Sequence, residues 1–353
     1  LWRFTHQLHV RKKIPLFVLE FTCQRGNHAF VEQSAKSRCH SLTHGGNVGQ
    51  GILRNIRSLN SPIRLIGTDI DSFTAGNHLC DFSYKVPYSY DENYIPTIQG
   101  IIEKEQVDLV IPSTDYEIYY LSENRNQLKA TILASESKTA KTYLDKYETY
   151  KYLSFNQIPF AKSWLPEDYD YSEKEIIAKP REGRGSRGIL INPENPNQLP
   201  AGYMIQPLHR GLEITTAVYV NKKGLLHGLF TMERTLTNGT TTESKVVFDY
   251  DAEMTIIAQK MIDLGGLMGS FNIQSIVTNQ KEIVPFEINC RISGTNSIRH
   301  NLGFQDVKYT IQEYLFDHVP DKPNPIKGIA TRILLDVIYP DVNDEENVIK
   351  INP

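Results

Sequence analysis

Cysteine is scarce in this chain of 353 residues: Cys23, Cys39, Cys80 and Cys290 stand far apart, with no C-x-x-C pair and no spacing that suggests a disulfide framework. Free thiols in a reducing, cytoplasmic compartment are expected. Long apolar runs are also missing, so no segment reads as a membrane span. Positive charge is not in surplus. The net charge is −3, without the basic field that nucleic-acid binding usually needs. Nucleic acid and membrane are therefore set aside as partners. What remains is ordinary globular composition, 40% hydrophobic and 22% charged, long enough for about two or three domains with real cores.

The first forty residues resist assignment. LWRFTHQLHVRKK is basic, IPLFVLEFT is apolar, and the remainder is polar without period. That outline resembles a signal peptide, yet Glu20 breaks the apolar run and no A-x-A-like site follows. The chain opens on Leu1, which leaves a fragment or a displaced start open, and residues 1–40 stay an unassigned N-terminal segment.

From about residue 41 to 140, apolar runs alternate with helical patterns. IRLIGTD (63–69), VDLVIPS (107–113) and ATILAS read as strands, while NYIPTIQGIIEKEQ and YEIYYLSENRNQLK read as helices. Such alternation predicts a parallel sheet covered by helices, with ligands beyond the carboxyl ends of the strands. Asp69, the Ser113-Thr114-Asp115 group and the loop HGGNVGQG (44–51) fall there. That loop runs G-x-x-G-x-G, not in the dinucleotide order, and no P-loop Lys-Ser/Thr follows. It reads first as a strand-to-helix turn that needs glycine, although the preceding SAKSRCHSLT makes a poor strand.

A helical stretch ending in LDKYETYKYLSFNQ leads into a β-rich region, with EIIAKP, GILIN, YMIQPL, EITTAVYV, GLLHGLF and SKVVF as strands. DAEMTIIAQKMIDLGG returns to a helix. Then GSFNIQSIVTNQKEIVPFEINCRI places two alternating runs around the polar turn Thr278–Lys281, the signature of an antiparallel hairpin. Val284, Phe286, Ile288, Cys290 and Ile292 recur at every second position and predict one apolar face. A turn centred between Gln280 and Lys281 pairs Gln274 with Glu287 and Asn272 with Asn289. The opposite face then presents Gln274, Glu287, Asn289 and Arg291. Carboxylate and amide oxygens are hard ligands that suit Mg²⁺, and an Arg further along the strand suits a terminal phosphate. A solvated strand face is the alternative.

Two further stretches add to this. In IIAKPREGRGSRGILIN (176–192), Gly183, Gly185 and Gly188 form G-x-G-x-x-G between two strands, with Lys179 before them. Strand, glycine loop and strand describe a flap whose backbone N–H groups close over phosphates; a flexible surface loop is the alternative. No H-R-D or D-F-G segment accompanies it, so the protein-kinase reading fails, and Arg184 occupies the first glycine position that a G-x-S-x-G elbow at Ser186 would need. YMIQPLHRGLEITTAVYV then passes from one strand through Gln206, Pro207 and Leu208 to a strand opened by Glu213. A chain crossing between lobes in this way can offer hydrogen bonds to an adenine edge, with a carboxylate further on for ribose hydroxyls.

In this order and spacing, Lys179, the glycine flap and GSFNIQ…PFEINCRIS resemble the ATP-grasp superfamily, in particular the synthetase component of carbamoyl phosphate synthase and its single-unit relatives. The resemblance covers roughly residues 42–318. It implies a parallel α/β pre-ATP-grasp domain over 41–140, followed by a two-lobed ATP-grasp fold, with a small lobe over 141–212 and a large lobe over 213–353. It further implies that Lys146 and Lys179 hold nucleotide phosphates beneath the flap of Gly183, Arg184, Gly185 and Ser186. Gln206 and Leu208 would contact adenine and Glu213 the ribose. Gln274, Glu287 and Asn289 would ligate Mg²⁺ (or Mn²⁺) beside ATP, and Arg291 would face the transferred phosphoryl group.

The expected activity is an ADP-forming carboxylate–amine (or thiol) ligase acting through an acyl phosphate, on small carboxylate and amine substrates, in a homodimer. Phosphorylation of carbamate or bicarbonate is the alternative reaction, and a nucleotide-binding module without catalysis the alternative class. One ATP-grasp unit is visible, without an amidotransferase segment or a second half, so complete carbamoyl phosphate synthesis is not expected. Where the family commonly carries Glu, Gln206 stands, an amide that offers both a donor and an acceptor and so loosens the expected adenine preference. The acceptor pocket is expected near Asp115, Arg299 and the Ser293–Ser297 loop. GIATRILLDVIYP reads as one more strand of the C-terminal lobe.

Overall fold

The computed structural model describes residues 37–41, 44–183 and 185–340. The segment expected to be unassigned lies outside the described residues up to residue 36, as do Cys23 and the chain from 341 onward.

The first part is a parallel sheet. Strands β1 (Ser37–Ser41), β2 (Ile63–Asp69), β3 (Phe82–Lys85), β4 (Leu109–Ile111) and β5 (Thr131–Ile132) lie in the order β3-β2-β1-β4-β5. Helices α1 (Asn47–Arg57), α2 (Tyr94–Glu105) and α3 (Asp115–Glu123) alternate with them. The poor strand SRCHS is thus the centre of the sheet, pairing Cys39 with Leu65 on one side and Leu109 on the other. A central strand is held by backbone pairing on both edges, which hydrophobic patterning does not report. The sheet therefore reaches back to Ser37, earlier than the start expected at residue 41. Because strand order reverses on either side of β1, the crevice between the carboxyl ends of β1 and β4 is a topological switch point, where open α/β sheets bind ligands.

The expected strand-to-helix turn lies between β1 and α1 but is shorter than 44–51: residues 44–46 turn, and α1 begins at Asn47 with Gly49 and Gly51 inside it. Gly51 serves a close approach: a Cβ there would stand 2.3 Å from Asn296 Oδ1.

Helices α4 (Ser137–Leu144) and α5 (Lys146–Phe155) lead into a small antiparallel sheet of β6 (Ile176–Pro180), β7 (Leu190–Ile191) and β8 (Tyr203–Pro207), ordered β7-β6-β8. The glycine loop joins β6 to β7, as the strand–loop–strand pattern predicts. A six-stranded antiparallel sheet follows: β9 (Gly211–Val220), β10 (Leu226–Thr237), β11 (Thr240–Val246), β12 (Gly269–Thr278), β13 (Ile283–Asn289) and β14 (Ile329–Thr331), ordered β13-β12-β9-β10-β11-β14. Of the GIATRILLDVIYP segment expected as a strand, only Ile329–Thr331 is one, at the edge beside β11.

Helix α6 (Asp251–Asp263) buries Met254, Ile257 and Met261 on one face of this sheet, against Ile214, Val218 and Phe271. Helices α7 (Asn296–Asn301) and α8 (Asp306–Thr310), the latter continued by a π turn over Ile311–Leu315, lie on the other face, where Phe304 and Tyr309 pack on Tyr219 and Phe230. The α7 segment also packs on α1, so the parallel sheet and the large antiparallel sheet share a core seam.

Two helical glycines separate propensity from packing. Gly100 in α2 has open space where a Cβ would go, so Gly100→Ala should stabilise the fold by about 0.5–1 kcal/mol. Gly51→Ala should instead cost about 1–3 kcal/mol, because Asn296 is fully buried and held by Asn55 at 3.0 Å. Thermal denaturation of both variants checks the pair; equal shifts of one sign would refute the close approach.

Candidate functional site

The hairpin of β12 and β13 sets the site. Its register pairs Asn272 with Asn289 and Gln274 with Glu287, as the turn analysis predicts. The route to that register differs from the expected one. Near the turn, Val277 pairs with Ile283, Ile276 with Val284 and Ser275 with Pro285, which centres the turn on Gln280. Between Gln274 and Ser275 the register shifts by one, leaving Phe286 as the extra residue of a β-bulge. The bulge changes the phase of alternation. Ile283, Ile288 and Cys290 enter the core, while Phe286 lines a pocket with Glu287, Asn289 and Arg291. The continuous apolar face predicted over 284–292 is therefore wrong at its first two positions, since a period-2 pattern cannot register an inserted residue.

The bulge turns the Phe286 carbonyl toward β6, where Lys179 donates to it at 3.1 Å and sits 5.0 Å from the Phe286 ring. Burial pulls the Lys179 ammonium down to about 8; Glu287 opposes the shift and Lys146 adds to it. Burial by itself would raise the Glu287 carboxyl, but Lys146, Lys179, the Asn289 amide and Arg291 together hold it below its ordinary value. Lys146 opens α5, and its Nζ donates to the carbonyl of Gly183 at 3.1 Å, tying helix to flap. The preceding Asp145 caps α5 through the N–H of Tyr147 at 2.8 Å and grips Arg181 at 2.5 Å.

A chain of polar contacts crosses the pocket floor. Arg234 donates to Glu213 Oε1 and to Gln274 Oε1, each at 2.5 Å. Gln274 Nε2 donates to Asn289 Oδ1 at 3.0 Å, and Asn289 Nδ2 to Glu287 Oε1 at 3.1 Å. Sequence reasoning missed Arg234. Its signal was available: in LFTMERTL it shares the alternation phase of Phe230 and Met232, both buried, so a cation stands in an apolar register.

The pocket has a volume of about 700 Å³ and brings together every expected site residue except Arg184, which lies outside the described residues: Lys146, Lys179, Gly183, Gly185, Ser186, Gln206, Leu208, Glu213, Gln274, Glu287, Asn289 and Arg291. The flap turns through left-handed backbone at Gly185 and Ser186, and meets the β10–β11 hairpin tip so closely that a Cβ on Gly239 would stand 2.4 Å from the Gly185 carbonyl oxygen. Leu208 contributes no free N–H, since its amide donates to Glu175 O at 2.9 Å. Among the described residues around the pocket, Lys146, Lys179, Arg187, Arg234 and Arg291 face Asp115, Glu213 and Glu287; five cations against three carboxylates leave an excess of two, in a chain of net charge −3. Among the described residues no group of three or more His, Cys, Asp or Glu could hold a metal. At its β12–β13 end the floor offers the Glu287 carboxylate and the amides of Gln274 and Asn289.

The switch point of the parallel sheet supplies the opposite wall: Gly46, Asn47 and Val48 after β1, and Ser113, Thr114 and Asp115 after β4. Thr114 and Glu117 form a capping box that fixes the start of α3 and so the position of Asp115. Arg291 Nε donates to Asp115 Oδ2 at 3.0 Å. Two expectations for this wall are corrected. Asp69 binds the N–H of Gly45 at 2.8 Å and shapes the turn instead of lining the pocket. Arg299 has no exposed surface: it pairs with Asp306 and donates to Ser293 Oγ at 2.8 Å and Thr295 Oγ1 at 3.0 Å, holding the Ser293–Thr295 loop from behind. Arg332 holds the same loop through the Gly294 carbonyl.

Residues 143–295 match the ATP-grasp domain, and residues 49–133 match the PylC-like N-terminal domain. No curated protein matches by sequence. Among solved structures, the N5-carboxyaminoimidazole synthetase of Staphylococcus aureus complexed with ADP superposes with a TM-score of 0.69 at 13% identity, covering 85% of this chain and 83% of that one. The biotin carboxylase domain dimer of Hydrogenobacter thermophilus 2-oxoglutarate carboxylase, in complex with MgADP, ADP and bicarbonate, reaches 0.64 at 14% identity, over 82% and 73%. The L-amino acid ligase of Bacillus licheniformis reaches 0.63 at 12% identity, over 81% and 75%. These likenesses establish a shared fold.

The depressed Lys179 carries a stability signature. The native state sheds this proton near pH 8 and the unfolded chain near the ordinary lysine value, so the cost of burying the ammonium is present below pH 8 and relieved as pH rises toward 10.5. Relative to Lys179→Met, the wild type should gain up to about 3 kcal/mol across that window. Denaturant melts at pH 7.5 and 10.5 measure it, and a pH-independent difference would refute the burial argument.

Proposed function

We propose that this protein, whose central domain is ATP-grasp, is an ADP-forming ligase that activates a small carboxylate as an acyl phosphate for attack by an amine. One observation carries the reading: a single pocket joins clustered cations, a glycine flap, and the hydrogen-bonded side chains of Gln274, Glu287 and Asn289. The parallel sheet from Ser37 to about residue 140 would form the pre-ATP-grasp domain, residues 141–212 the small lobe and the described residues from 213 onward the large lobe. A homodimer is proposed on the precedent of the dimeric biotin carboxylase domain.

The donor set fits Mg²⁺. Gln274, Glu287 and Asn289 carry hard oxygen ligands on side chains linked in a row by hydrogen bonds, and one or two carboxylates are typical where phosphate supplies the remaining oxygens. Bound there, the ion would neutralise phosphate charge. Lys146 and Lys179 would hold the phosphates under the N–H groups of Gly183, Gly185 and Ser186, with Arg184 part of the same flap. Gln206 and Leu208 would border the base. Glu213, already oriented by Arg234, would accept from ribose hydroxyls. Arg291, steadied by Asp115, would face the transferred phosphoryl group.

The chemistry balances without a side-chain nucleophile. A carboxylate oxygen bonds to the γ-phosphorus as its bond to the β–γ bridging oxygen breaks, releasing ADP. The amine nitrogen then attacks the acyl carbon, phosphate leaves with the oxygen that joined it to the acyl group, and the nitrogen loses a proton. The cations would stabilise the charge on the transferring phosphoryl group, where an enclosed site makes them most effective.

Glu287→Gln should lower acceptor-dependent ADP release by about two orders of magnitude or more. Turnover within threefold of wild type would remove Glu287 from the reaction. A hydroxylamine trap distinguishes a carboxylic acyl phosphate from a carbamoyl phosphate, and nucleotide binding with no acceptor-dependent ADP release would favour the non-catalytic module.

A further inference from the structure

Gln206 stands at the base end of the pocket with an amide that could, in principle, turn either its oxygen or its nitrogen to a ligand. A buried pair of hydrogen bonds decides which. Ser163, 4% exposed, donates its single hydroxyl proton to the Ala161 carbonyl at 2.9 Å. A carbonyl can only accept, so the Ser163 oxygen has only lone pairs left to offer its other neighbour. That neighbour is Gln206, 2% exposed, whose Nε2 lies 3.0 Å from Ser163 Oγ. The reversed amide would set oxygen against oxygen in a buried site. Gln206 Oε1 is therefore the atom left for the pocket, and among the described residues no donor engages it. The adjacent Leu208 amide, already bonded to Glu175 O, supplies no competing donor.

We propose that Ser163 latches the Gln206 amide with its carbonyl oxygen toward the nucleotide base, so that the pocket selects a base bearing an exocyclic amine at that edge. The inference rests on the nucleotide-binding reading above and resolves the ambiguity that an amide introduces where a carboxylate is common. Adenine presents an amine where guanine presents a carbonyl oxygen. Latched, Gln206 accepts from the first and opposes the second. Ser163 is a positioning residue: it touches Gln206 and Ala161, and acts on the base through Gln206.

The experiment is titration calorimetry of the full chain with Mg-ATP and Mg-GTP. The wild type should prefer ATP by about two orders of magnitude. Ser163→Ala frees the amide to turn and should raise GTP affinity at least about tenfold, a gain that simple structural damage would not produce. Ser163→Cys, whose thiol is a weak acceptor, provides the same test should the alanine variant fold poorly. Adding Gln206→Glu to either variant, which leaves only acceptors facing the base, should restore the preference for ATP. Equal wild-type affinities for the two nucleotides would overturn the latch while leaving the ligase reading intact. A Ser163 variant with unchanged selectivity would remove Ser163 from base selection. Binding of neither nucleotide would overturn both readings.

Discussion

The β-bulge at Phe286 is the constraint on which the site depends. One inserted residue lets β13 keep Ile283 and Pro285 inward near the turn, then send Ile288 and Cys290 inward beyond it, so that Glu287, Asn289 and Arg291 share the pocket side. The same insertion frees a backbone carbonyl from the ladder, and the buried ammonium of Lys179 binds it. Without the shift, either the core residues or the polar row would face the wrong way, because a strand cannot change faces except by breaking its period.

Around that strand the charges are balanced against one another. Lys179 and Glu287 each favour the other's charged form, and the contacts from Glu213 through Arg234, Gln274 and Asn289 to Glu287 leave the floor polar but internally satisfied. Such a network avoids the cost of bare buried polar groups. Among the described residues that line it, the pocket carries a surplus of positive charge, in a chain that is negative overall.

The opposite wall arises from topology. Placing β1 between β2 and β4 opens the switch-point crevice, and the capping box at Thr114 aims Asp115 across it to Arg291. Arg299 and Arg332 secure the loop between those walls from behind, which is why a residue that reads as a substrate contact in the sequence is a buried support in the fold.

Local patterning carried most of the architecture. The strand–helix alternation before residue 140 and the strand–glycine–strand flap follow from periods and turn chemistry that neighbouring residues determine, whereas the row of Gln274, Glu287, Asn289 and Arg291 keeps the predicted register only because the bulge offsets a displaced turn centre. The match of residues 143–295 to the ATP-grasp domain agrees with the resemblance those motifs carry. What only the tertiary structure decided involves partners far apart in the chain. SRCHS is a central strand because β2 and β4 flank it, Gly51 is required because α7 presses against α1, and Arg234 belongs to the site because β10 lies two strands from β12. The orientation of Gln206 depends on Ser163, 43 residues earlier. Hydrophobic period reports which face a residue takes; it is silent on which distant group meets that face, and there the chemistry of this pocket is set.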